Sequence, residues 1–140
     1  MKDGEDSRSE EAGPPLPAPA QSILVVDDDA ALRTILGLTL KGFGHIVLVA
    51  GSGEEALQVA GHHPEIRVIL LDVVMAGLSG KELAAQLKTS LPKASILFCS
   101  GHPISSLIRH DIDVSSRNFL QKPCRPPDLQ PKIEELLDGS

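Results

Sequence analysis

The stretch Ile69-Leu70-Leu71-Asp72-Val73-Val74-Met75 limits the fold more than any other part of the chain. Three branched apolar residues run without alternation into one carboxylate, and apolar residues follow before the loop signal Ala76-Gly77-Leu78-Ser79-Gly80. A strand apolar on both faces is covered on both faces, which requires a parallel sheet sandwiched by helices. A carboxylate at the end of such a strand lies on the carboxyl edge of the sheet, where open α/β folds collect their chemistry.

The same grammar recurs along the chain. Ile23-Leu24-Val25-Val26 predicts a first buried strand that ends in Asp27-Asp28-Asp29. Leu32, Ile35, Leu36, Thr39 and Leu40 then recur at helical spacing, with Gly42 and Gly44 as stop signals. His45 to Ala50 predicts the second strand. Ser52-Gly53-Glu54-Glu55 has the capping-box pattern and opens a helix that Pro64 closes. Val68 to Leu71 reads as the third strand and Lys81 to Thr89 as the third helix, and Ile96-Leu97-Phe98-Cys99 as a fourth strand running into Ser100-Gly101. Ile104 to His110 suggests a short helix and Asn118-Phe119-Leu120 a last short strand. A final helix is expected within Asp128 to Leu137, with Pro131 delaying or distorting its first turn. Strands alternating with helices on short connections build one parallel sheet through right-handed crossovers.

Composition narrows the function. With 140 residues, one domain with a substantial core is expected; no Trp, no Tyr and only three Phe make that core aliphatic. The net charge of −6 disfavours a nucleic-acid surface. Half of it belongs to residues 1–21, where Lys2 and Arg8 face Asp3, Glu5, Asp6, Glu10 and Glu11 before a Pro- and Ala-rich run. That segment is expected to be a disordered tail or linker, leaving residues 22–138 as the domain. No apolar run approaches the about 18 residues of a membrane span, and no signal-peptide core is present, so a cytoplasmic protein without membrane contact is expected. Cys99 and Cys124 make no disulfide framework; Cys99 reads as core. His62-His63 reads as a helix-end pair, and His45, His102 and His110 as surface residues.

The folding pattern brings Asp27, Asp28, Asp72, Ser100 and Lys122 to one edge. Carboxylates held together repel, by roughly 4 kcal/mol for a pair about 4 Å apart at an effective dielectric of 20, and so call for protons or a cation. An all-oxygen donor set suits Mg²⁺. Asp29 reads as the helix cap instead. A carboxylate nucleophile, a metal pocket, an ammonium group and a hydroxyl on one rim suit phosphoryl transfer onto Asp72.

Taken in order, Val25-Val26-Asp27-Asp28-Asp29, Leu70-Leu71-Asp72-Val73-Val74-Met75, Cys99-Ser100-Gly101 and Phe119-Leu120-Gln121-Lys122-Pro123 resemble the receiver domain of two-component response regulators. Ser100-Gly101-His102 and Leu120-Gln121-Lys122-Pro123 look most like receivers at the carboxyl end of hybrid sensor histidine kinases. The resemblance implies a flavodoxin-like three-layer fold with a five-stranded parallel sheet of order 2-1-3-4-5. It implies that Asp72 takes a phosphoryl group from a histidine kinase or phosphotransfer protein. Asp28, Asp72 and the main-chain carbonyl of Val74 would then bind Mg²⁺ directly, and Asp27 through water. Lys122 would hold the phosphoryl group, while Ser100 and Phe119 would act as the conformational switch toward a downstream protein. Ala76 departs from the family, standing where many receivers have proline. Apart from slow self-dephosphorylation no enzymatic turnover is implied, and only Asp138-Gly139-Ser140 follow the last helix, so no output domain is expected here.

Two rivals compete. Gly51-Ser52-Gly53-Glu54-Glu55-Ala56 mimics a dinucleotide fingerprint, with Asp72 about 20 residues on. It follows the second strand, however, would set two glutamates against a pyrophosphate, and leaves Asp27, Asp28 and Lys122 unexplained. The other rival is a degenerate receiver that binds partners without phosphorylation, against which every acceptor-site position is filled.

Overall fold

The computed structural model describes residues 21–72, 80–100, 119–121 and 126–138. In chain order the elements are β1 (Ser22–Val26), α1 (Ala30–Gly42), β2 (Ile46–Ala50), α2 (Gly53–His62), β3 (Ile66–Asp72), α3 (Gly80–Ser90), β4 (Ser95–Ser100), β5 (Phe119–Gln121) and a helix we label α4 (Pro126–Asp138). The five strands form one parallel sheet in the order β2-β1-β3-β4-β5. This is the expected flavodoxin-like arrangement.

Residues alternate across the sheet, so each central strand feeds two apolar layers. Ile23, Val25, Val68, Leu70, Leu97, Cys99 and Leu120 point to one side and pack with Leu36 and Leu40 of α1 and Leu129, Ile133 and Leu136 of α4. Leu24, Val26, Ile69, Leu71, Ile96 and Phe98 point to the other side and meet Ala56 and Ala60 of α2 and Leu83 and Leu87 of α3. The two layers explain why β1 and β3 carry no polar alternation. At the edge, β2 leaves Ile46 and Val49 exposed.

Local chemistry sets the helix ends. Asp29 caps α1 by accepting from the Leu32 N–H, at 3.2 Å. At the other end, Gly44 takes φ +94°, its N–H bonds the Lys41 carbonyl, and the His45 N–H bonds the Leu40 carbonyl. This double closure needs a left-handed residue after the helix, which glycine supplies without strain. His62 and His63 end α2 as expected. His62 Nδ1 lies 2.8 Å from the Gln58 carbonyl, and His63 Nδ1 lies 3.0 Å from Glu65 Oε2. That contact and a backbone hydrogen bond hold the exposed Glu65 carboxyl below its ordinary range, the backbone bond contributing most.

Two expectations are corrected. His45 is 5% exposed, not a surface residue. Its Nδ1 accepts from the Gln21 N–H at 3.1 Å, which places the ring proton on Nε2, 3.1 Å from Gln130 Oε1 of α4. The imidazole is thus a polar bridge between the start of β1 and the last helix, where burial is supported by two partners. Pro131 does not delay α4, which begins two residues earlier than expected, at Pro126. Proline suits a first helical position, and Pro131 removes one N–H from the following turn without ending the helix. The segment 104–110, Cys124 and the tail of residues 1–20 lie outside the described residues, as do His102 and His110. No helix among the described residues is long and apolar enough to cross a membrane.

Candidate functional site

Register brings the acids together. Val26 of β1 pairs with Leu71 of β3, so the next residues, Asp27 and Asp72, stand at the same level of adjacent strands. Parallel neighbours at one level point their side chains to the same face of the sheet. Asp28, one residue further, completes the group. Carboxylate oxygens of Asp27, Asp28 and Asp72 lie within 4.8 Å of one another. Asp27 and Asp72 are buried, at 2% and 7% exposure, while Asp28 is open to solvent.

Asp27 is held through both its backbone and its carboxylate. Its N–H donates to the Ala50 carbonyl at 3.1 Å, and its Oδ1 accepts from the Asp29 N–H at 2.9 Å. Its own carbonyl accepts from Arg33 Nη1 at 2.7 Å. Two charges 4.8 Å apart at an effective dielectric of 20 repel by roughly 3–4 kcal/mol. Two buried carboxylates and one exposed carboxylate therefore form a pocket with a hydrated open side, suited to a hard divalent cation that keeps part of its water. Among the described residues this is the only group of three or more His, Cys, Asp or Glu residues that meets a metal's ligand spacing.

The other expected site residues are placed to differing extents. Ser100 ends β4 at the same edge, one residue past Cys99, which pairs with Asp72. Phe119 opens β5, pairs in register with Phe98, and is half-buried against the cluster that holds Leu71 and Phe98. Lys122 and Val74 lie outside the described residues. Gln121, immediately before Lys122, pairs with Ser100.

The glycine-rich turn after β2 proves to be a helix cap. Ser52 Oγ accepts from the Glu55 N–H at 3.1 Å, and Glu55 Oε1 folds back onto the Gly51 N–H at 2.7 Å. A dinucleotide site would offer that N–H to a pyrophosphate; here a carboxylate occupies it. Sequence reasoning missed Arg33 on α1 and the reason for Gly51. The one available signal was an arginine about one turn into the helix that follows the acids.

Residues 23–134 match the family described as response regulator receiver domain. The chain belongs to that family. The receiver domain is 35% identical over 122 residues to the transcriptional activator protein ExaE of Pseudomonas putida; the match takes in 84% of this chain but spans only 55% of that protein's length. A solved response regulator receiver domain protein from Clostridium thermocellum superposes with a TM-score of 0.75 at 26% identity, over 85% of this chain and 95% of that one. The receiver domain from the hybrid histidine kinase CckA gives a TM-score of 0.69 at 30% identity, over 83% and 98% of the two chains. The protein is thus a phosphoacceptor of two-component signalling, a signalling domain whose upstream partner is a histidine kinase or a phosphotransfer protein.

Proposed function

We propose that Asp72 is the phosphoacceptor and that the acidic pocket beside it holds Mg²⁺. Asp28, Asp72 and the Val74 carbonyl are assigned as direct ligands, with Asp27 acting through water. The approach of Asp27, Asp28 and Asp72 to within 4.8 Å at the carboxyl edge carries this reading. A carboxylate oxygen of Asp72 attacks the phosphorus of a phosphohistidine. The new O–P bond forms as the N–P bond breaks, and the electron pair leaves on the imidazole nitrogen. When bound, the ion neutralises charge on the phosphoryl oxygens and the carboxylates around them. Lys122 pairs its ammonium with a phosphoryl oxygen.

The acyl phosphate adds negative charge next to the end of β4. Ser100 turns its hydroxyl to that charge, and Phe119 takes up the space released, passing the event to the surface around β4 and β5. The output is a protein contact rather than nucleic-acid binding, in keeping with the net charge of −6. The reading adds slow self-dephosphorylation, no other catalysis, a cytoplasmic setting, and residues 1–21 as a tail or linker to residues 22–138. The match to the CckA receiver supports a tethered relative of hybrid kinases. Borohydride trapping after treatment with acetyl phosphate and Mg²⁺, followed by peptide mass mapping, tests the assignment. Modification at Asp72 is expected; modification at Asp27 or Asp28 with Asp72 untouched would reassign the acceptor.

A further inference from the structure

Gly51 follows β2 at the same edge of the sheet, and its backbone lies outside the left-handed region, so conformational freedom does not account for it. Space does. A Cβ at this position would lie 2.9 Å from Arg33 Nη1, 3.2 Å from Cζ and 3.5 Å from Nη2. These are the three nearest atoms, all of one guanidinium, with no backbone among them. The same guanidinium donates from Nη1 to the Asp27 carbonyl at 2.7 Å. Asp27 is thereby held from three directions: by Ala50 through its N–H, by Asp29 through its carboxylate, and by Arg33 through its carbonyl.

The third hold differs in kind. The Asp27 carbonyl and the Asp28 N–H and Cα share one rigid peptide plane. Fixing that carbonyl with a charge-assisted bond therefore fixes where the Asp28 Cα sits, the point from which its side chain departs. Asp28 is the exposed member of the acidic group, so its position rests on its backbone more than on packing.

We infer that Arg33 is a positioning residue for the divalent-cation pocket, seated in a space that Gly51 leaves open. It fixes the Asp27–Asp28 peptide against the turn after β2, and the affinity of the pocket for Mg²⁺ depends on that hold. This rests on reading the acidic cluster as a Mg²⁺ pocket. Two changes remove the hold by different routes. Arg33→Ala deletes the guanidinium. Gly51→Ala keeps it but drives it from its seat, because the clash is with the far end of a flexible side chain.

The experiment is calorimetric titration of the whole chain with MgCl₂, beside urea unfolding without Mg²⁺, for wild type, Arg33→Ala, Gly51→Ala and the double variant. Removing outer-shell support around a metal site typically weakens binding tenfold or more. Each single variant is expected to weaken Mg²⁺ binding about tenfold, and the double variant no further than the weaker single one. Wild-type affinity in both single variants would overturn the inference, as would lower urea midpoints with unchanged affinity. Strictly additive losses in the double variant would also overturn it, since the two residues would then act separately. Should Arg33→Ala fail to fold, Gly51→Ala alone decides. Absence of saturable Mg²⁺ binding by the wild type would refute the metal reading itself; wild-type binding with unchanged variants refutes only the role of Arg33.

Discussion

Asp27 and Asp72 leave adjacent parallel strands at the same level, because Val26 and Leu71 are register partners. Forty-five positions apart in sequence, they bring carboxylate oxygens within 4.8 Å of each other and of Asp28. The register of the sheet sets two of the three acids at one level.

Asp28 and Asp29 adjoin in sequence but differ in use, and substitution separates them. Asp28→Ala is expected to weaken Mg²⁺ binding at least tenfold. Asp29→Ala removes the cap on the Leu32 N–H and is expected to cost about 1 kcal/mol of stability with Mg²⁺ affinity kept. Metal titration and urea unfolding of the two variants check both halves.

Lys122→Ala is expected to retain the fold and accept phosphate but fail to switch. The Phe119 ring environment, followed by NMR with and without phosphorylation, gives the readout. A full spectral change in that variant would remove Lys122 from the mechanism.

His45 bridges Gln21 and Gln130 from a buried position. His45→Ala leaves the Gln21 N–H and the Gln130 carbonyl oxygen without this partner. A loss of about 1–3 kcal/mol in urea unfolding is expected. Phosphorylation of the folded variant should persist, since the bridge is not among the groups assigned to the acceptor site.

The turn after β2 makes a further check. With Glu55 Oε1 on the Gly51 N–H, NAD is expected to leave the thermal midpoint unchanged. A concentration-dependent rise would revive the dinucleotide reading.

Much of the site was legible in the sequence because its parts obey local rules. Unbroken apolar runs ending at Asp27 and Asp72 gave away buried parallel strands and their carboxyl edge. Ser52 and Glu55 announced a helix start through spacing alone, and Gly44 supplied the left-handed residue that closes α1. What escaped was set by tertiary contact. The burial of His45 depends on Gln130, 85 residues away, and no periodicity marks such a pair. Pro131 reads as a disruption only for a helix that starts at Asp128; with the start at Pro126 it falls beyond the first turn. The seat of Arg33 became visible only once the turns after β1 and β2 were adjacent.

The central claim is that Asp72 accepts a phosphoryl group in a reaction that needs a divalent cation. It is tested most directly by intact-mass measurement after incubation with acetyl phosphate, for wild type with MgCl₂, wild type with EDTA, and Asp72→Asn with MgCl₂. The account predicts one added phosphoryl group in the first sample and none in the other two. Equal labelling of Asp72→Asn, or labelling unaffected by EDTA, would contradict it.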